Sequence, residues 1–215
     1  VNNGGDVFRW ARDNMFDAEK STAALLGTDA YDLMTQIASR VPAGSEGLIF
    51  HPYLGGERAP IWDANARGSF FGLNHSHTRA HMLRSVLEGI TFNVYMVSLA
   101  LEEVVGGLTS IQATGGFARS PLWRQMFADI FEQPVTVPEA FESGALAAVI
   151  VAQKALGKID DLYDIEQYIG SSNTYQPKPE NFEAYRELAP IFIRLSRQLQ
   201  TEYENIANYQ RKHAK

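Results

Sequence analysis

The sequence predicts an α/β fold built on parallel strands, and three observations predict it. Residues 109–157 run strand, glycine turn, helix, strand, helix, the order that lays parallel strands beneath helices. A long helical pattern from Thr78 to about Val105 becomes largely apolar in its second half, which suits burial between layers. The composition is that of a globular domain: 215 residues, 45% hydrophobic and 20% charged, enough for one large domain or two small ones.

Each element has a local reason. In residues 6–16, Val7, Phe8, Trp10, Ala11 and Phe16 fall near helical spacing, with Asp6 placed to cap or to sit in the first turn. A second helix fits 29–41, with Thr28 or Asp29 as N-cap and Pro42 just past its end. The segment 47–54, rich in strand formers, reads as a strand that Pro52 places at an edge or an end. Residues 55–68 hold glycines, a proline, Asp63 and Asn65 and read as a loop, followed by a short strand at 69–74. The helix from Thr78 is stopped by Gly106-Gly107. A strand at 109–113, a helix near 121–132 and a strand at 134–138 follow. A helix with small residues on one face, suited to close packing, runs from Ser143 to Gly157. The tail from Pro179 is a long C-terminal helix with Pro190 as its expected kink or break.

Composition also excludes functions. Nineteen basic against 25 acidic residues give a net charge of −6 with no basic run, so nucleic acid is not an expected partner. The absence of cysteine excludes disulfides and thiolate metal sites and is compatible with a reducing, cytoplasmic compartment. No apolar run approaches the roughly 20 residues that span a bilayer, and no signal peptide is read. The chain opens on Val1 and enters a helical pattern at once, so it reads as a fragment or a domain cut from a longer protein.

Four clusters invite chemistry. In "ATGGFARS", Gly115 and Gly116 stand between a strand and a helix. Glycine tolerates positive φ, and a helix start offers free N–H groups to a phosphate or the edge of a nucleotide. The spacing matches neither a P-loop nor Gly-x-Gly-x-x-Gly, and taken alone the pattern favours a plain turn. Arg58 and Arg67 either clamp an anionic substrate or brace their own loop, and nearby Glu57 and Asp63 favour bracing. His75, His77 and His81 raise a metal site, but no supporting carboxylate is spaced for one, and His75 and His77 read as solvated near a helix start. Asp6, Asp13 and Asp17 lie beside Arg9 and Arg12 and read as paired surface charge.

The stretch 68–88, "GSFFGLNHSHTRAHMLRSVLE", resembles the second signature of the FGGY carbohydrate kinases. Its positions are Gly68, Phe70, Gly72-Leu73, His81, Met82 and Ser85-Val86-Leu87-Glu88. The loop "GERAP…ARG" before it, and "ATGGFARS" and "ESGALAAVIVA" after it, stand in the family's order. The resemblance covers nearly the whole chain and is strongest to the family's gluconate kinases, with xylulose kinases next.

That resemblance implies an actin-like ATPase, ribonuclease-H-like fold with two domains flanking a cleft. Residues 1–215 are then most of the second, nucleotide-binding domain, incomplete at its N-terminal side. It implies that Gly115 and Gly116 lie against the adenosine and phosphates of ATP and that Ser120 touches the adenine. It also implies that Gly5 and Arg9, just before Trp10, line the same site. The implied activity is ATP- and Mg²⁺-dependent phosphorylation of a sugar or sugar acid, gluconate first. The catalytic aspartate and the phosphate-gripping turn belong to motifs that these residues do not contain. No catalytic residue is therefore expected here, and the isolated chain is expected to be inactive. A homodimer through the C-terminal helix is compatible with the pattern. A non-catalytic nucleotide-binding module is the alternative from another class. A Rossmann site would need an acidic residue about 20 positions past the glycines, where Glu139 stands, but its glycine spacing fails.

Overall fold

A computed structural model describes residues 4–108, 111–138, 143–162 and 172–213. Helix α1, Gly4–Met15, buries Val7, Phe8 and Ala11 on one stripe and keeps its charges outside. There Asp6 accepts from Arg9 at 2.6 Å, and Asp13 accepts from Arg12 at 2.9 Å with Lys20 at 3.1 Å, the surface pairing that the spacing predicts. Helix α2, Asp17–Leu26, was not predicted. It buries Ala23, leaves Leu25 and Leu26 exposed, and so carries no apolar stripe for periodicity to detect. Helix α3, Ala30–Ala38, begins where Asp29 accepts a hydrogen bond from the Tyr31 N–H at 2.9 Å, and it stops three residues short of the predicted end.

Strands β1, Ile49–His51, and β2, Ser69–Phe71, pair antiparallel with Phe50 opposite Phe70. The loop between them is closed on itself by Glu57 and Asp63, which exchange backbone hydrogen bonds at 2.9 and 3.0 Å. Helix α4, Arg79–Val105, is the axis of the molecule, packed on β1, α1 and α3. Thr78 and His81 cap it reciprocally. Its burial reverses the prediction: every residue from Leu83 to Asn93 is buried, while Leu101, Val104 and Val105 in the apolar second half are exposed. The first half crosses β1 and the flanking helices, and the last turns run beyond them.

Strand β3, Ile111–Gln112, pairs parallel with β4, Val135–Pro138, as the strand–helix–strand order requires. Helix α5, Pro121–Phe131, makes the crossover. A third strand, β5, Ser172–Tyr175, joins β4 antiparallel and was not predicted, its polar "SNTY" lacking any strand alternation. Helix α6, Ser143–Ala155, buries Ile150 but leaves Val149 and Val151 exposed, so close packing is not realised among the described residues. The predicted long C-terminal helix is divided into α7, Phe182–Gln198, and α8, Gln200–His213, and the break falls at Leu199 rather than Pro190. Pro190 stands on the exposed side of α7, opposite buried Tyr185, Ala189 and Phe192, where the carbonyl it leaves unpaired can meet water.

Candidate functional site

The glycine turn is built by the end of β3. The Ala113 N–H still donates to the Thr136 carbonyl at 3.0 Å, after which the chain leaves the sheet. Gly115 adopts φ 116° and ψ −173°, a conformation that a residue with a Cβ rarely takes. Residues Gly116–Arg119 then make one 3-10 turn, with the Ala118 N–H donating to the Gly115 carbonyl at 3.0 Å. Ser120 caps α5 through its hydroxyl, which accepts from the Trp123 N–H at 3.2 Å, and Pro121 follows where no donor is needed. A Cβ built on Gly5, Gly115 or Gly116 would meet no protein atom within 4 Å. At Gly116, with ordinary φ, neither backbone strain nor packing demands glycine; what the missing side chain leaves is open space.

That space is a cleft of about 960 Å³. Gly5 from α1 and Gly115, Gly116 and Ser120 from the glycine turn all line it, although a hundred residues separate the two segments. Its floor is a row of aromatic rings. Tyr31 lies 4.7 Å from Phe8, Phe8 lies 5.3 Å edge-on from Trp123, and Trp123 lies 6.1 Å edge-on from Phe117. The row is fixed from below, since the Trp123 indole N–H donates to the Thr91 hydroxyl at 3.0 Å and that hydroxyl donates to the Leu87 carbonyl at 2.8 Å. At the other end Tyr31 is covered by the Arg12 guanidinium, 5.1 Å from its ring centre, and burial pushes its phenol above the ordinary value. A long apolar floor edged by backbone N–H groups suits a flat heterocycle carrying an anionic tail.

Arg9 is not brought to this cleft. It lies on the exposed face of α1, paired with Asp6. Sequence reasoning missed Tyr31, Asp32 and Thr35 of α3, which form a second polar wall. They carry no motif and reach the cleft only because α3 packs beside α1 and α4. Arg119 and Thr114 also line it and were not singled out.

Arg67, His77 and His81 serve structure. Arg67 braces its loop, donating to the carbonyls of Ala64 and Ala66 at 3.2 and 2.9 Å and to the Gln210 amide oxygen at 2.7 Å. His81 accepts from the Thr78 N–H at 3.1 Å and lies 3.4 Å from the Glu46 carboxylate, while His77 accepts from the Asn74 N–H at 3.1 Å. No three His, Asp or Glu side chains converge on a metal-sized site among the described residues. None of the described helices is long and apolar enough to cross a membrane. Glu139 lies outside the described residues.

Comparison with known proteins gives concordant matches. A model of the FGGY family of carbohydrate kinases, C-terminal domain, matches residues 1–156. A gluconokinase of Bacillus licheniformis is 55% identical over 212 residues, 98% of this chain and 41% of that protein. Two solved structures from Lactobacillus acidophilus, a gluconate kinase and a ligand bound xylulose kinase, each give a TM-score of 0.80 at 42% identity. Each match covers 96% of this chain and 40% of the other. The chain therefore spans well under half the length of the relatives it matches.

Proposed function

The chain belongs to the FGGY family of carbohydrate kinases, with their actin-like ATPase fold, and from that premise we propose that it binds ATP in the cleft beneath Gly115 and Gly116. In this reading residues 1–215 are the nucleotide-binding domain of an enzyme that passes the γ-phosphoryl group to a hydroxyl of a sugar acid, gluconate first. One observation carries the nucleotide half. Gly5, Gly115, Gly116 and Ser120, the positions implied by the family motifs, line one cleft whose glycine wall opens onto empty space. The choice of gluconate is supported by the 55% identity to a gluconokinase. Xylulose is the second reading, favoured by the equal likeness to a xylulose kinase structure.

Phosphoryl transfer asks a protein for positioning and charge stabilisation more than for covalent chemistry. The chain's share is then to seat the base on the aromatic floor and to hold the nucleotide through the backbone of the glycine turn. Ser120 contributes by fixing the start of α5 at the cleft edge. Arg9, turned outward, would contribute only if its pairing with Asp6 opened. Mg²⁺ enters as the companion of the nucleotide's phosphates. The described residues supply no cluster to hold it. The catalytic base and most sugar contacts are proposed to come from outside this chain, in a cytoplasmic enzyme.

The test is an ADP-release assay on the full-length protein with gluconate, xylulose and glycerol as acceptors. ATP-dependent turnover with gluconate preferred confirms the reading. Preference for xylulose moves it to the second, and no ATP-dependent turnover with any acceptor ends both.

A further inference from the structure

The wall of the cleft formed by α3 holds a carboxylate that the fold does not use. Asp29 spends its carboxylate on capping Tyr31, and Thr35 donates its hydroxyl to the Asp32 carbonyl at 3.1 Å. Asp32 lines the cleft, and its carboxylate makes no hydrogen bond or ion pair with the described residues. Its position relative to the glycine turn follows from the floor. Tyr31, next to Asp32, begins the aromatic row that runs through Phe8 and Trp123 to Phe117, and Phe117 follows Gly116. Asp32 thus follows, on α3, the ring that ends the floor away from the glycines, and lines the same cleft.

A carboxylate can only accept hydrogen bonds and repels phosphate. In a nucleotide laid along this floor, the group that meets Asp32 must be a donor, and one far from the phosphates. The ribose hydroxyls lie close to the phosphate chain. The amino group at C6 of adenine lies at the opposite extremity of the molecule. Hypoxanthine carries a carbonyl there, which would set acceptor against acceptor.

Resting on the reading that this cleft binds ATP, we propose that Asp32 selects the base, its carboxylate accepting a hydrogen bond from the adenine amino group. ATP is admitted and inosine triphosphate is rejected at this end of the cleft. Asparagine in its place can turn its amide to donate to the carbonyl of hypoxanthine, so the replacement relaxes the choice.

The experiment compares kcat/KM for ATP and inosine triphosphate in the full-length enzyme and its Asp32→Asn variant at saturating sugar acid. Asp32 is exposed and supports no packing, so the variant is expected to fold, with an unchanged melting temperature as the check. The expected result is a preference for ATP of about ten-fold or more in the parent, falling to about three-fold or less in the variant. An unchanged ratio overturns the proposal. So does an equal loss with both nucleotides, which would mean that Asp32 acts on the ribose or phosphates they share. A parent enzyme that uses ATP without preferring it overturns the proposal as well. A parent that transfers no phosphoryl group from ATP defeats the underlying reading instead.

Discussion

Arg84 and Glu88 face each other one turn apart on α4, Nε to Oε1 at 2.8 Å, and both are buried. Around them, the Gly44 N–H and the Ser45 hydroxyl donate to the Glu88 carboxylate at 2.9 and 2.6 Å. Arg84 reaches the Val41 carbonyl at 2.7 Å and the Tyr185 hydroxyl at 3.1 Å, and that hydroxyl donates to Glu88 at 3.1 Å. Burial and the adjacent carboxylate push the Tyr185 phenol well above its ordinary value. The acidic end of the stretch Ser85-Val86-Leu87-Glu88 therefore sews the 41–45 loop and α7 onto α4, and neither residue of the pair lines the glycine-turn cleft.

The first prediction follows from that network. Glu88→Gln leaves the Arg84 guanidinium buried without its counter-charge, a change that costs about 3–5 kcal/mol. Against a typical domain stability of about 5–15 kcal/mol this is a large share. Denaturant unfolding should show the midpoint moving sharply down. A shift of a few tenths of a kcal/mol would mean that the pair is not held as described.

A second prediction concerns Gly89, where α4 crosses β1. A Cβ there would stand 2.0 Å from the Phe50 carbonyl oxygen and 3.0 Å from its carbon, both backbone atoms that cannot step aside. Gly89→Ala should destabilise the fold by about 1–3 kcal/mol or more, through forced separation of helix and strand. Thermal melting of the variant beside Gly116→Ala, where a Cβ meets nothing within 4 Å, separates a packing glycine from one that faces open space.

The elements legible in the sequence were those with a physical signature confined to one segment. The Thr28-Asp29 pair and Thr78 announced helix starts, Gly106-Gly107 announced a stop, and the strand–helix–strand order gave the parallel pairing of Ile111 with Val135. Where stability comes from partners distant in sequence, the reading failed. Helix α2 has only Ala23 to bury, and β5 is held by backbone pairing to β4 and by Thr136 against Thr174 at 3.0 Å. Apolar content alone misplaced the buried half of α4, because burial depends on what crosses the helix. The cleft divides in the same way. Gly5, Gly115, Gly116 and Ser120 carry a pattern, whereas Tyr31 and Asp32 arrive by tertiary packing; for Arg9 the helical spacing that pairs it with Asp6 describes its position, and the family motif does not.

At the glycine turn, Gly116→Val should raise the KM for ATP by about ten-fold or more in the full-length enzyme, with little loss of stability. The side chain would enter space that the protein leaves open and the nucleotide is proposed to fill. Gly115→Val is the less clean probe, since φ 116° adds backbone strain of about 1–3 kcal/mol to any effect on binding. Steady-state kinetics with ATP varied, beside a melting curve, decide the matter. An unchanged KM at Gly116 with an intact fold would remove the turn from the nucleotide site.

His51 supplies a pH dependence that can be assigned to one ring. It is buried between Tyr53 and Phe192, with ring centres 5.5 and 4.6 Å away. The Phe192 carbonyl, 3.1 Å from Nε2, can only accept, so Nε2 carries the proton and Nδ1 is left to accept from the Ser69 hydroxyl at 3.1 Å. Burial, opposed by the bond to Phe192, holds the imidazole pKa below its ordinary value. The unfolded chain therefore takes up the proton first, near pH 6.5, and stability falls as pH drops below that value. Between pH 7.5 and 5.5 the loss from this residue is at most about 1.4 kcal/mol, the bound set by the unfolded value alone. His51→Gln keeps a donor and an acceptor in place but cannot titrate. Its melting temperature should change less between the two pH values than that of the parent. Equal slopes for the two proteins would show that His51 is not held neutral by the fold.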